Sequence, residues 1–184
     1  MQRIYATLCS IPRRNAQYTP PLRQALWKAL HATGAPQFLI QLIQDLHTGT
    51  RVRVGKRLSK ALYTSLGVRQ GCVLAPALLC LAIDWIMSRC SGSLGITLGG
   101  TVFTDLDYAD DAVVFAQDPE RWQAELKRFD DAATTMGLHT SWQKTKLQNI
   151  GYGPPPQSVS VDGHPAEVTD KFVYLGSTVT PWLL

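Results

Sequence analysis

The chain has 184 residues, of which 45% are hydrophobic and 17% charged, and its formal net charge is +4 at pH 7. This composition indicates a globular protein with a substantial apolar core and excludes an intrinsically disordered chain. The longest apolar run, from Cys72 to Ile83, is too short to cross a bilayer, and the N-terminus lacks the apolar segment of a secretory signal, so we expect an intracellular protein (cytoplasm or nucleus) with no membrane partner.

Charge is divided unevenly between the two halves of the chain. Residues 1–83 hold eleven Lys and Arg and a single acid, Asp45, whereas residues 84–184 hold seven Lys and Arg and thirteen acids. A basic half joined to an acidic half suits a protein that binds a polyanion and places metal ions against it. An ordinary basic protein with an uneven surface would show the same totals.

The cysteines form no zinc-binding pattern. Cys9, Cys72, Cys80 and Cys90 are scattered, with no Cys-x-x-Cys pair and no histidines at zinc-finger spacing. Reduced structural thiols are therefore the better interpretation, in agreement with an intracellular location.

Residues 1–19 show no clear periodicity, so we expect an irregular N-terminal segment. Two helices should follow it. A proline pair opens the first, which ends at Gly34, and Pro36 opens the second, which ends before Gly49. Both have apolar residues at helical spacing, which indicates that one side of each helix packs against a core.

Residues 50–54 alternate strictly between apolar and polar types, which predicts a half-buried strand. Together with the residues that follow, its polar side forms a basic ridge. The ridge consists of Arg51, Arg53, Lys56, Arg57 and Lys60. Such a ridge is typical of contact with the phosphates of a nucleic acid, although a solvated strand face would look the same.

The middle of the chain predicts a hairpin that presents two carboxylates. A loop bounded by Gly67 and Gly71 precedes an apolar helix over residues 76–88 and a strand pair over residues 96–106. Two short β-prone runs then flank Tyr108-Ala109-Asp110-Asp111, which places adjacent carboxylates at the tip of a tight turn. Because Mg²⁺ prefers oxygen ligands, this turn predicts a metal-binding site.

The rest of the chain continues with a helix, a strand and closing hairpins. The helix runs from Pro119 to Gly137 and the strand over residues 144–150, and residues 151–157 form a stiff connector rich in Gly and Pro. Hairpins that include Phe172 end the series. This order predicts an α+β fold, a small antiparallel sheet with helices packed on one face.

Four segments between residues 60 and 178 stand in a characteristic order. They are the loop from Gly67 to Pro76, the carboxylate turn, the segment from Gly137 to Lys146, and the segment from Phe172 to Ser177. In this order they resemble the palm of a reverse transcriptase, most closely that of the non-LTR (LINE-type) retrotransposon enzymes. The resemblance implies RNA-directed DNA polymerase chemistry by two Mg²⁺ ions, with an RNA template and a DNA primer as partners.

The resemblance also implies roles for individual residues. Asp110 and Asp111 match the catalytic pair that binds the metal ions, and we expect Asp110 to be the main ligand, since neighbouring side chains on an extended backbone point to opposite sides. Lys144 matches a catalytic lysine that neutralises or protonates the leaving pyrophosphate. Contact with the template base and the incoming nucleotide is implied for Arg69, Gln70, Gly71 and Tyr108.

The chain departs from the family pattern near its N-terminus. The family's palm has an earlier strand with another catalytic aspartate, but residues 1–44 contain neither Asp nor Glu. We therefore expect residues 20–184 to form an incomplete, palm-like domain in which the first palm strand, the fingers and the thumb are missing. The sheet surface left uncovered would then favour association with another molecule.

Loss of the third carboxylate leaves one of two Mg²⁺ ions poorly held, so we expect weak metal binding. Removing electrostatic stabilisation from one reacting group typically costs ~10²–10³ in rate, which predicts a truncated domain that is inactive alone. Three alternatives remain open: a polymerase that borrows an aspartate from a partner, a non-catalytic basic nucleic-acid-binding module, and a chain that does not fold stably.

Overall fold

The computed structural model describes residues 5–10, 22–63, 72–90, 94–109 and 111–181. In these ranges the helices are α1 (Leu22–Ala32), α2 (Gln37–His47), α3 (Ala75–Cys90) and α4 (Trp122–Thr135). The strands are β1 (Tyr5–Ser10), β2 (Arg53–Val54), β3 (Arg57–Leu58), β4 (Ile96–Leu98), β5 (Thr101–Phe103), β6 (Asp105–Tyr108), β7 (Asp111–Ala116), β8 (Lys146–Asn149), β9 (Val159–Val161), β10 (His164–Val168), β11 (Phe172–Tyr174) and β12 (Ser177–Val179). This mixture of helices and mainly antiparallel strands agrees with the predicted α+β class.

The main sheet has six strands in the order β6-β7-β1-β8-β10-β9. Every neighbouring pair in it is antiparallel except β8 and β10, which run parallel. The remaining strands form three separate hairpins, β2-β3, β4-β5 and β11-β12. The edges of the main sheet are therefore β6 and β9, and the strands between them have a partner on each side.

Strand β1 lies in the middle of this sheet and pairs with two strands that are distant in sequence. Thr7 stands opposite Val114 of β7 on one side and Leu147 of β8 on the other. At its end, Ser10 stands opposite Asp111. Because side chains directly opposite one another share a face, this register decides which residues of the three strands lie together.

One face of the sheet packs against the helices, and we call it the helix face. Cys9, Val114 and Leu147 are buried there in one apolar cluster with Ile86 of α3 and Trp122 of α4. Helix α3 contacts both α1 and α4, so the helices form a layer over this face. Burial of these apolar side chains, at about 25 cal/mol per Å² removed from water, is the main stabilising contribution to the fold.

Helix α4 shows how the sequence pattern produces this layer. The Asp118 side chain accepts a hydrogen bond from the N–H of Glu120 at 3.0 Å, which satisfies one of the free donors at the start of the helical segment. Trp122 and Phe129, at helical spacing, are both buried. Gly137, in the left-handed conformation with φ +69°, follows the last turn and ends the segment.

The opposite side of the sheet, which we call the open face, is covered less completely. Ala6, Val113 and Phe115 form a small buried cluster there with Ile96, and Tyr174 packs against it. The Tyr174 hydroxyl donates a hydrogen bond to the carbonyl oxygen of Leu106 at 3.2 Å, which ties the β11-β12 hairpin to β6. Hairpins rather than helices therefore border the open face.

The structure corrects two expectations about the N-terminal region. The prediction that residues 1–19 are irregular is wrong for Tyr5–Ser10, which form β1; residues 1–4 and 11–19 lie outside the described ranges. The sheet also lacks the uncovered position that we expected, because β1 fills the place between β7 and β8. The six residues carry little strand signal of their own, and pairing on both sides fixes their conformation. The proposed association through that position loses its basis.

Among the helices that the structure describes, none is long and apolar enough to cross a membrane. The predicted helix over residues 76–88 is confirmed as α3, and the predicted strand over residues 144–150 as the shorter β8. The closing hairpin that includes Phe172 is confirmed as β11-β12.

The central position of β1 predicts that Thr7→Pro strongly destabilises the protein. Proline removes a backbone donor from a strand that is paired on both sides, which leaves a buried carbonyl on a neighbouring strand unsatisfied and costs about 2–3 kcal/mol or more. Denaturant unfolding measures the loss. The control is Thr97→Pro in the exposed hairpin β4-β5, which should cost much less, and equal losses would contradict the pairing of β1.

Candidate functional site

The carboxylate turn lies at one end of the open face. Strands β6 and β7 pair so that Tyr108 stands opposite Asp111, and Ala109 in the turn has a positive φ of +57°. A residue other than glycine in this conformation costs of order 1 kcal/mol, so the surrounding pairing holds the turn tight. Asp110, which we predicted to be the main metal ligand, lies outside the described residues. Asp111 is half-buried.

Register places Asp111 and Tyr108 side by side on the open face, and Ser10 is the register partner of Asp111 on β1. Tyr108 pairs with Asp111 across the hairpin, and Ser10 pairs with Asp111 on the other side. The side chain of Tyr108 is 61% exposed. Strand β1 has the sequence Tyr-Ala-Thr-Leu-Cys-Ser, so the strand beside the carboxylate turn brings no acid to it.

The residues described here do not fit a centre for two metal ions. Within the described ranges, no group of three or more His, Cys, Asp or Glu side chains lies close enough to hold a metal ion. Asp111 has a serine, not a carboxylate, at the opposing position of β1. Two divalent ions normally need several carboxylate oxygens between them, so this donor set is too small.

A cleft of about 720 Å³ opens beside Asp111, and we call it the lysine cleft. Its walls come from β7, β8, β10, the turn after α4 and the β11-β12 hairpin. The charged residues that line it are Asp111, Lys144, Lys146, Glu167 and Lys171. Three lysines against two carboxylates give the cleft a net positive lining, which suits an anionic ligand.

The lysines of this cleft differ in their partners. Lys146 forms an ion pair with Glu167 across the parallel strands β8 and β10. In the described part of the chain, neither Lys144 nor Lys171 has a carboxylate within ion-pair distance. Lys144 ends a turn in which its N–H donates to the Ser141 carbonyl at 2.9 Å. Two of the three lysines are therefore available to an anion.

The predicted site residues are brought together only in part. Asp111 and Lys144 line the same cleft, as expected if they act on one ligand, whereas Tyr108 stands beside Asp111 outside that lining. Three further predicted residues lie outside the described ranges: Arg69, Gln70 and Gly71. Their placement in a nucleotide site remains a prediction.

The basic ridge lies away from the lysine cleft. Regular strand structure is limited to the short hairpin β2-β3, and Arg51 precedes it. The prediction of a half-buried strand is wrong, because the hairpin is exposed on both sides and Val54 has 75% of its surface in solvent. The alternating residues form an isolated two-stranded ribbon, and no neighbouring layer covers its apolar side. The described ridge residues are all exposed: Arg51, Arg53, Lys56, Arg57 and Lys60.

Sequence reasoning missed two of the cleft lysines, Lys146 and Lys171. Lys146 follows Lys144 by two residues, a spacing that puts two side chains on the same face of a strand. Because the strand begins only at Lys146, this spacing did not mark the two lysines as neighbours. Lys171 precedes Phe172 and reaches the cleft through the fold of the closing hairpin. No local pattern marks it, because the contact joins segments that are far apart in sequence.

A second set of acids lies toward the helix face. Asp107 pairs with Ala112, whose other neighbour is Cys9, so the carboxyl is directed away from the lysine cleft. Burial, the negative charges of Asp105 and Asp84, and a hydrogen bond with the Asp105 side chain together raise the pKa of Asp107 to about 7. Asp107 is therefore an unsuitable partner for Asp111 in binding a metal ion.

The cysteines of the helix face are free thiols, as predicted. Burial is the main cause that raises the pKa of Cys9, and it also raises the pKa of Cys90 to about 12. Both thiols are thus protonated at neutral pH, and a protonated thiol is a poor nucleophile and metal ligand. Their role is packing.

Comparison with known proteins identifies related sequences. Residues 23–179 match the family described as "Reverse transcriptase (RNA-dependent DNA polymerase)". The chain is 26% identical over 161 residues to the "Retrovirus-related Pol polyprotein from type-2 retrotransposable element R2DM" of Drosophila melanogaster, which covers 86% of this chain and 15% of that protein. It is 28% identical over 138 residues to the "Retrovirus-related Pol polyprotein from type-1 retrotransposable element R2" of Nasonia vitripennis, over 69% of this chain and 14% of that protein.

These matches confirm the resemblance to the reverse transcriptases of non-LTR retrotransposons. The family match covers most of the chain, from α1 to β12. The chain spans only about 15% of the length of the two relatives, so the similarity does not assign the activity of the complete proteins to this chain.

The raised pKa of Asp107 predicts a pH-dependent stability. The pKa of this carboxyl rises from 3.8 to about 7 on folding, so the folded state favours its protonated form. The stability that this preference provides is fully present below about pH 4 and is lost as the pH rises through about 7. Because the side chain is partly exposed, we expect Asp107→Asn to raise the free energy of unfolding by about 1 kcal/mol at pH 8 and to have little effect at pH 4.

Denaturant unfolding at both pH values measures this effect. The control is Asp45→Asn, which removes an exposed carboxylate on α2 and changes the net charge equally. A gain at pH 8 that is the same for both variants would show that net charge, not the surroundings of Asp107, is responsible.

Proposed function

The chain belongs to the reverse transcriptase (RNA-dependent DNA polymerase) family, and we propose that it is a nucleic-acid-binding domain of non-LTR retrotransposon origin that does not extend a primer by itself. The observation that carries this proposal is the lysine cleft. It joins one acid of the carboxylate turn, Asp111, to Lys144 and to the closing hairpin β11-β12. These are three of the four segments on which the family resemblance rests.

The main sheet supports a palm-like interpretation of the domain. Its helices cover one face, and the carboxylate turn and the lysine cleft lie on the other. A phosphate backbone laid along the open face would meet the ammonium groups of Lys144 and Lys171, which have no carboxylate partner among the described residues. Point charges of this kind bind phosphates without reading sequence.

The composition of β1 supports the proposed lack of catalysis. In this proposal β1 takes the place of the family's first palm strand, beside β7, and its end is Ser10 where the resemblance implies an aspartate near the turn. Two metal ions stabilise both the attacking and the leaving oxygen in this reaction, which requires carboxylates to hold them. Loss of one such stabilising contact typically costs ~10²–10³ in rate.

Asp110 and Asp111 remain the proposed Mg²⁺ ligands, with weak binding as the expected result. A single ion held by these carboxylates would need oxygen atoms from a nucleotide to complete its coordination. Lys144 would then act on the phosphates of that nucleotide by its charge. Arg69, Gln70 and Tyr108 are proposed to contact the nucleotide or the template.

The basic ridge is proposed as a second contact with the phosphate backbone. The exposed β2-β3 hairpin presents Arg53 and Arg57 from a ribbon that no other layer covers. Such a ribbon can follow a backbone without close shape matching. An RNA template and a DNA primer are the partners that family membership favours.

The salt dependence of RNA binding tests this proposal. We expect the unaltered chain to bind single-stranded RNA with an affinity that falls steeply with salt. Lys144→Gln/Lys171→Gln should reduce the slope of log K against log salt by about 1.4, since each phosphate contact on a single strand contributes about 0.7. Fluorescence anisotropy with a labelled oligonucleotide measures the slope.

The matched control is Lys28→Gln/Lys127→Gln, which removes the same charge from exposed positions on α1 and α4. The control should lower the slope far less. An equal reduction by both double variants would show that net charge, not the lysine cleft, determines binding. A slope near zero for the unaltered chain would overturn the proposed function.

A further inference from the structure

A second cleft of about 550 Å³ lies beside the lysine cleft, and we call it the aromatic cleft. The two clefts share Gln143 and Glu167 in their linings. The aromatic cleft also includes the rings of Trp142 and His164, and none of its lining residues is a lysine or an arginine. Its chemistry therefore differs from that of its neighbour: flat rings replace ammonium groups.

The two rings are parallel. The planes of Trp142 and His164 differ by 3°, and their centroids are 6.0 Å apart. Parallel rings in van der Waals contact, at about 3.5–4 Å, are laterally displaced by about 4.5–5 Å at this centroid separation. Each ring therefore covers only part of the other. Together they form a stepped aromatic surface that leaves ring area for a third planar group.

Both rings stand on elements that hold them in place. Trp142 lies in the turn after α4 and packs partly against the main apolar cluster. The Ser141 carbonyl closes that turn by accepting hydrogen bonds from the Lys144 N–H at 2.9 Å and the Thr145 hydroxyl at 3.0 Å. His164 begins β10 and pairs with Val161 across the β9-β10 hairpin. A ligand would thus find the two rings already positioned, which lowers the entropy cost of binding.

Charge next to the rings does not oppose a nucleic acid. Glu167 is the acid shared by both clefts, and its carboxylate forms an ion pair with Lys146. The pair offsets part of the repulsion that Glu167 would exert on a phosphate. Lys144, two residues from Trp142, lines the lysine cleft and provides positive charge near the boundary between the two clefts.

We propose that Trp142 and His164 form a stacking platform for one base of a single-stranded nucleic acid whose phosphates occupy the adjoining lysine cleft. The inference rests on the proposed function, since it requires that the lysine cleft holds a phosphate backbone. Stacking on aromatic rings tolerates any base, because every base has a flat π-face. The platform would contribute affinity without selecting a sequence.

The test compares a labelled single-stranded oligonucleotide with an abasic oligonucleotide of the same length and charge. The abasic strand keeps the phosphates and lacks the rings that stack. We expect the unaltered chain to bind the base-containing strand about 5-fold or more tightly than the abasic strand, as one stacked base implies. Trp142→Leu and His164→Ala should both reduce this ratio toward one and leave affinity for the abasic strand unchanged.

Trp85→Leu is the matched control. Trp85 is half-buried like Trp142, but it lies on α3 with the guanidinium of Arg89 4.7 Å from its ring centre. The control should keep the ratio of the unaltered chain. If Trp142→Leu fails to fold, as judged by thermal unfolding, the test rests on His164→Ala, which changes an exposed residue. A reduced ratio of affinity for the base-containing strand to affinity for the abasic strand supports the platform, and an unchanged ratio overturns it.

The experiment separates the two proposals. Salt-dependent binding of both oligonucleotides with equal affinity would overturn the stacking platform and leave the lysine cleft as a phosphate site. Failure of both oligonucleotides to bind would overturn the proposed function and the platform with it. A ratio that persists in both ring variants would place base contact elsewhere and overturn the platform alone.

Discussion

The pairing of β1 with both β7 and β8 holds the main sheet together and sets the register at the candidate site. It joins two strands separated by about thirty residues and completes the middle of the sheet. Its register directs Cys9 into the helix layer and aligns Ser10 with Asp111 at the carboxylate turn. A shift of one residue would exchange the two faces of this strand and place its polar and apolar side chains in the wrong surroundings.

The same register places the main apolar cluster on the helix face and the lysine cleft on the open face. On the helix face, apolar side chains and protonated thiols fill the layer beneath α3 and α4, and Asp107 has a raised pKa because it is turned toward that side. On the open face, Asp111 and the cleft lysines stay in contact with solvent. Two neighbouring strands therefore carry acids on opposite faces of the sheet: Asp107 on the helix face and Asp111 on the open face, beside the lysine cleft.

Local and ordered patterns in the sequence predicted part of this account. The helix α3, the β6-β7 hairpin around the carboxylate turn and the family itself were predicted correctly. The strand β1 was not, because six residues with weak alternation become a strand only through two distant partners. The lysine cleft was half predicted: Lys144 belongs to a recognisable segment, whereas Lys171 reaches it through the closing hairpin, a contact that no local pattern encodes.

Mg²⁺-dependent primer extension on an RNA template tests whether the chain lacks polymerase activity by itself. The purified chain would be compared with Asp110→Ala/Asp111→Ala, with folding and RNA binding measured under the same conditions. Neither protein should extend the primer above background, because no carboxylate of β1 stands beside Asp111. Extension by the unaltered chain that the double substitution abolishes would contradict it, since a sufficient set of metal ligands must then be present.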